Sequence, residues 1–118
     1  MCRQEATKFC GWFGLPTSLT VLGCNVSGNL AAGGGGASGG NGEGGGLYLG
    51  AQGSTTLENS LVTGNAAAAT GGGPGEGGGI FIDPLATACA DPLTKDHIDG
   101  NHATSAGDDL FGTLGSCS

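Results

Sequence analysis

The sequence predicts an all-β chain built as a parallel solenoid, and three observations carry that prediction. An aliphatic residue followed two places later by Gly-Asn recurs as Val26-Ser-Gly-Asn29, Val62-Thr-Gly-Asn65 and Ile98-Asp-Gly-Asn101, with 36 residues from each motif to the next. Each motif is followed by a glycine turn running into an apolar pair: Gly44-Gly-Gly-Leu-Tyr-Leu49, Gly77-Gly-Gly-Ile-Phe-Ile82 and the weaker Gly107-Asp-Asp-Leu-Phe111. Glycine, finally, fills 28 of 118 positions while charged residues make up only 11%. Interior glycine costs a helix about 0.8–1.0 kcal/mol per residue relative to alanine. The apolar residues fall in bursts of three or four between Gly, Asn, Ser and Thr, which is strand-and-turn punctuation.

Taken in order, residues 1–9 carry no pattern and read as an irregular N-terminal segment, 10–112 as the repeat region and 113–118 as a tail. Within the repeat region, Trp12-Phe13 stands where Leu47-Tyr48 stands later, so Cys10–Gly14 reads as a degenerate first strand. Leu19–Leu22 leads through Gly23 into Cys24-Asn-Val26, as Thr56-Leu57 leads through Asn59 into Ser60-Leu-Val62. Strand side chains alternate faces, which turns Cys24 and Val26 inward together, and likewise Ser60 and Val62. From Asn to the following glycine turn the chain spends 15, 12 and then 6 residues. A coil of fixed section with one loop of changing length explains this better than a rigid repeat.

Stacking such coils sets like residues over like. Leu47, Ile80 and Leu110 form one inward column, and Val26, Val62 and Ile98 another. Asn29, Asn65 and Asn101 form a ladder whose amides bond along the stack and satisfy the turn's backbone. The turn glycines Gly44, Gly45, Gly46, Gly77, Gly78 and Gly79 are expected to supply positive φ at the opposite bend.

Composition excludes several functions. A net charge of −7, with Arg3, Lys8 and Lys95 the basic residues, cannot neutralise a run of phosphates and is repelled by an anionic membrane. Nucleic acid is therefore not an expected partner. No apolar run approaches the roughly 20 residues of a membrane span, and an export signal, if the protein has one, lies outside this sequence. Five cysteines at irregular spacing give no complete disulfide framework and no zinc pattern. Buried or incidental thiols and a bridge from the N-terminal segment to Cys24 both stay open.

The pairing of Gly-Gly-Gly-Leu/Ile with Val/Ile-x-x-Asn resembles the Gly-Gly-Ala-Ile/Leu/Val and Phe-x-x-Asn repeats of chlamydial-type polymorphic outer membrane proteins, within the right-handed parallel β-helix, or pectin-lyase-like, repeat proteins. The likeness covers roughly residues 10–112 through three ordered recurrences. Val or Ile stands where Phe is usual, and Gly replaces Ala. The resemblance implies a right-handed parallel β-helix of about three coils and a secreted or cell-surface setting.

Two constellations could carry chemistry. Acidic residues crowd the last third with His97 and His102, and a β-helix enzyme acting on acidic polysaccharide would draw on Asp96, His97 and Asp99. Such catalysis needs two carboxyls held about 5–9.5 Å apart on a rigid surface, whereas these residues fall in a loop or terminal coil, where solenoids place polar caps. Glu43 and Glu76 each precede a glycine triplet and are the candidates for a calcium ion. The Asp that calcium-binding nonapeptides require is missing from both, so no cofactor is expected. The expected function is a non-catalytic scaffold or adhesion surface, part of a longer extracellular or surface protein. Its partner would be an extracellular ligand, a glycan among them, met by the loops Asn29–Gly44 and Asn65–Gly77. The alternative is a polysaccharide lyase or glycoside hydrolase using the Asp/His cluster near residues 83–109.

Overall fold

A computed structural model describes residues 2–4, 17–34, 40–69, 71 and 73–117, with the backbone alone described at 2–4 and 17. The strands are β1 (Cys2–Gln4), β2 (Thr17–Leu22), β3 (Cys24–Ser27), β4 (Leu30–Gly33), β5 (Gly42–Glu43), β6 (Leu47–Leu49), β7 (Gly53–Glu58), β8 (Leu61–Thr63), β9 (Ala66–Ala69), β10 (Gly75–Glu76), β11 (Ile80–Ile82) and β12 (Thr87–Ala90). A one-turn helix α1 (Pro92–Asp96) follows, then β13 (Ile98–Asp99), β14 (His102–Ala103), β15 (Leu110–Phe111) and β16 (Gly115–Ser116). The strands pair in parallel in several sheets, ordered β1-β3-β8-β13, β16-β12-β7-β2, β15-β11-β6, β14-β9-β4 and β10-β5. The chain is thus all-β, parallel and solenoid-like.

Register sets equivalent residues side by side: Val26 against Val62 and Val62 against Ile98, Leu47 against Ile80 and Ile80 against Leu110, Val21 against Leu57 and Leu57 against Ala90. These columns are the core. Val26, Val62, Leu57 and Ile80 are fully buried, with Val21, Leu47 and Ile82 nearly so. Burying such a side chain is worth about 1.5–3 kcal/mol relative to leaving it exposed, and the stack repeats that gain in each column.

Several expectations need correction. The stretch 1–9, read as irregular, contains β1, whose Cys2, Arg3 and Gln4 pair with Cys24, Asn25 and Val26. Parallel pairing uses backbone groups, so it leaves no residue pattern to read. The tail 113–118 contains β16, which pairs with β12 and is pinned to it by a Cys89–Cys117 disulfide. Cys24 is disulfide-bonded as well. The degenerate strand expected at Cys10–Gly14 lies outside the described residues. The stretches read as loops between Asn and glycine turn begin and end as strands: β4, β9 and β14 pair in order, as do β5 and β10. Between β4 and β5, Gly40 N–H donates to Gly34 O at 2.9 Å.

The helix was not foreseen. Asp91 caps it by accepting from Thr94 N–H at 2.9 Å, and Pro92 opens its first turn, where a missing N–H costs nothing. Thr94, fully buried, sends its hydroxyl back to accept from Ser60 N–H at 3.0 Å, just as Ser60 Oγ accepts from Cys24 N–H at 3.1 Å. The helix therefore carries a second column of side-chain bonds up the stack.

Candidate binding surface

Asn29, Asn65 and Asn101 stand in one hydrogen-bonded column. Asn65 Oδ1 accepts from both the backbone N–H and the Nδ2 of Asn29, each at 2.9 Å, while Asn101 Oδ1 accepts from the same two groups of Asn65, again at 2.9 Å. Each Nδ2 also returns to the strand before it, Asn65 to Val26 O and Asn101 to Val62 O at 2.9 Å. All three side chains are buried. An amide fits because it accepts on one side and donates on the other, so it can relay.

The glycine triplets pack against this column instead of lying at an opposite bend, and positive φ is needed only at their first members, Gly44 (φ 68°) and Gly77 (φ 67°). The remaining glycines are dictated by closeness. A Cβ on Gly45 would lie 2.3 Å from Ala66 O, one on Gly78 2.2 Å from His102 O, and one on Gly79 2.8 Å from Asn101 Nδ2.

Beside the core columns, half-buried Tyr48 and Phe111 flank buried Phe81, and the three stack with ring centroids 5.1 and 5.2 Å apart and planes within 1° and 3° of parallel. The signal was present, since an aromatic follows the inward aliphatic in Leu47-Tyr48, Ile80-Phe81 and Leu110-Phe111. Next to the last ring, a cavity of about 160 Å³ is lined by Ile82, Asp83, Pro84, Ala86, Phe111, Gly112 and Thr113. Asp83 Oδ1 accepts from Leu85 N–H at 2.8 Å. Glu43 and Glu76 are register partners on β5 and β10, and Glu43 takes a long bond from Asn41 Nδ2 at 3.4 Å. Burial, with smaller contributions from the charges of Glu43 and Asp83, pushes the Tyr48 hydroxyl above the usual phenol range.

The residues named for catalysis do not form a built site. Asp96, His97 and Asp99 are all exposed, and His97 Nδ1 lies 2.7 Å from Leu93 O at the helix end. Neither the cavity beside Phe111 nor a second one of about 260 Å³, lined by Lys95, Ile98, Asp109, Leu110 and Leu114, includes any of the three. Among the described residues no group of three or more His, Cys, Asp or Glu is placed to hold a metal ion, and the Glu43–Glu76 pair stands alone as a pair. Three other aspartates are occupied by the fold. Asp91 takes Asn59 N–H at 3.0 Å besides its helix, Asp108 takes Ala103 N–H at 2.9 Å, and Asp109 takes the N–H and Nδ2 of Asn101 at 3.0 Å. Asp108 also lies 3.5 Å from His102 Nδ1, both exposed.

Fold and surface together define a parallel, solenoid-like β protein with an aromatic column on one outer sheet, and no helix among the described residues is long and apolar enough to cross a membrane. No protein-family model, curated protein or solved structure matches the chain.

Proposed function

We propose that the chain is a right-handed parallel β-helix of about three coils that serves as a non-catalytic scaffold and adhesion surface of a secreted or surface-exposed protein. The hand follows from the strong preference of parallel crossovers for right-handed connections, and the family suggested is that of the pectin-lyase-like repeats. The observation that carries the reading is the employment of the acids: Asp91, Asp108 and Asp109 hold backbone N–H groups of the stack. The Cys89–Cys117 bridge supports an oxidising, extracytoplasmic setting. The surface best suited to a ligand is the Tyr48–Phe81–Phe111 column with Asp83 and the cavity beside Phe111. Aromatic rings bordered by a carboxylate suit the C–H faces and hydroxyls of a neutral glycan. The connections from β4 to β5 and from β9 to β10 add a variable margin, because growth there leaves the pairing of these strands untouched.

The test has two arms. Binding to a panel of neutral glycans should weaken in Phe111→Ala, and pectin, alginate and related acidic glycans should not be turned over by the wild type. Turnover that disappears when Asp96, His97 and Asp99 are changed together to Ala would replace this reading with the enzyme.

A further inference from the structure

The asparagine column has a direction, and the residue at its end differs in one chemical respect. Asn29 N–H and Nδ2 pass to Asn65 Oδ1, those of Asn65 to Asn101 Oδ1, and those of Asn101 to Asp109 Oδ1. Asp109 therefore occupies the acceptor position of the next asparagine. A carboxylate accepts as an amide does but has no N–H to hand on. At the opposite end, the buried Asn29 Oδ1 finds no donor among the described residues, so the column starts with an unused acceptor and finishes on a group that cannot donate.

The same face carries other such substitutions. β13, β14, β15 and β16 are each the last strand of their sheet. On β14 the edge N–H of Ala103 goes to Asp108 Oδ1 instead of to a neighbouring strand. Lys95 Nζ bonds Ser116 Oγ across the end, and Leu114 packs against the core beside it.

We infer that Asp108 and Asp109 form an end stop: they satisfy the outward N–H groups of the final asparagine and final edge strand with acceptor-only, negatively charged groups, and so refuse a further parallel coil supplied by a second copy of this chain. Charged groups on an exposed edge deter strand-to-strand addition, and a second copy brings a net charge of −7 of its own. The inference does not depend on what the surface binds.

The experiment is sedimentation velocity on the full chain across a wide concentration range, comparing wild type, Asp108→Asn with Asp109→Asn, and Asp96→Asn with Asp99→Asn. The first pair keeps the acceptor oxygens, adds outward amide donors and removes two charges; the second removes two nearby charges without touching these bonds. The expected result is that the wild type and the Asp96/Asp99 variant sediment as monomers, while the Asp108/Asp109 variant self-associates at least about tenfold more tightly, equivalent to about 1.4 kcal/mol. If the double variant does not fold, Asp109→Asn alone carries the test through the same Oδ1 acceptor. Self-association of the wild type, equal association of both variants, or a folded Asp108/Asp109 variant that stays monomeric would each overturn the inference.

Discussion

Replacing Asn65 with Asp changes one NH₂ to an oxygen and leaves the side-chain volume alone, so its effect isolates the relay. Asn65 donates from Nδ2 to Val26 O and Asn101 Oδ1, both at 2.9 Å, and its side chain is 1% exposed. The two bonds to its Oδ1 from Asn29 survive in the variant. Both Nδ2 bonds are lost, although Asn101 Oδ1 keeps the backbone N–H of Asn65; the lost bonds cost about 1–3 kcal/mol, and the new charge is desolvated without a cation beside it. A loss of about 4 kcal/mol at pH 7 is expected, or roughly 15 °C in melting temperature for a domain of this size. Burial raises the folded-state pKa of the introduced carboxyl above its unfolded value near 3.9. The penalty is accordingly smallest below the unfolded pKa, where the carboxyl is protonated and recovers one donor, and it grows as pH rises toward the folded pKa. Thermal melts of Asn65→Asp and wild type from acid to neutral pH check both points. A variant within about 1 kcal/mol of wild type at pH 7, or one penalised more in acid, would refute the relay.

Val62→Asp, fully buried on β8, should cost more than about 4 kcal/mol, whereas Leu61→Asp on the half-buried outer face should cost about 1 kcal/mol; the reverse order in chemical melts would shift the strand register by one residue. The Thr94 hydroxyl and amide hold the Asp91 carboxyl below the usual carboxylate range. Its contribution is therefore full above the unfolded pKa and lost as pH falls through the folded one, and Asp91→Asn should flatten that acid limb of the stability curve. Changing Cys89 and Cys117 to Ser reopens a loop of sequence separation 28. It should lower stability by about 3–4 kcal/mol on the loop-entropy estimate, and an unchanged denaturation midpoint would count against the bridge.

What could be read from the residues depended on whether a position needs a particular side chain. The columns through Val62, Ile80 and Asn65 demand aliphatic or amide groups at each level, so the 36-residue spacing of the Val62 and Asn65 columns and the glycine turn before Leu47 and Ile80 announce them. The strands Leu30–Gly33 and Ala66–Ala69 demand only backbone, and their Ala and Gly show no alternation. Helix α1 was marked by Asp91-Pro92, an N-cap followed by proline, but five residues cannot display an apolar stripe. Glycine was overread as a conformational need, when at Gly45 and Gly78 the need is room beside a carbonyl. The aromatic column stands one place beyond each inward aliphatic, at Tyr48, Phe81 and Phe111, where strand alternation gives the face of a side chain but not whether rings on successive coils stack. Asp109 was grouped with the other acids, since nothing local marks it as the partner of Asn101.

Gly40 N–H donates to Gly34 O and makes a bonded neck between β4 and β5. Strands on either side, Leu30–Gly33 and Gly42–Glu43, are held by Ala66–Ala69 and Gly75–Glu76 whatever the length of chain beyond the neck. Doubling a flexible loop costs only about 0.6 kcal/mol of closure entropy. The neck is thus an insertion port: a foreign peptide spliced between Gly34 and Gly40 should leave the register of the paired strands unchanged, and the same tolerance gives mutation a place to lengthen the chain without unfolding it.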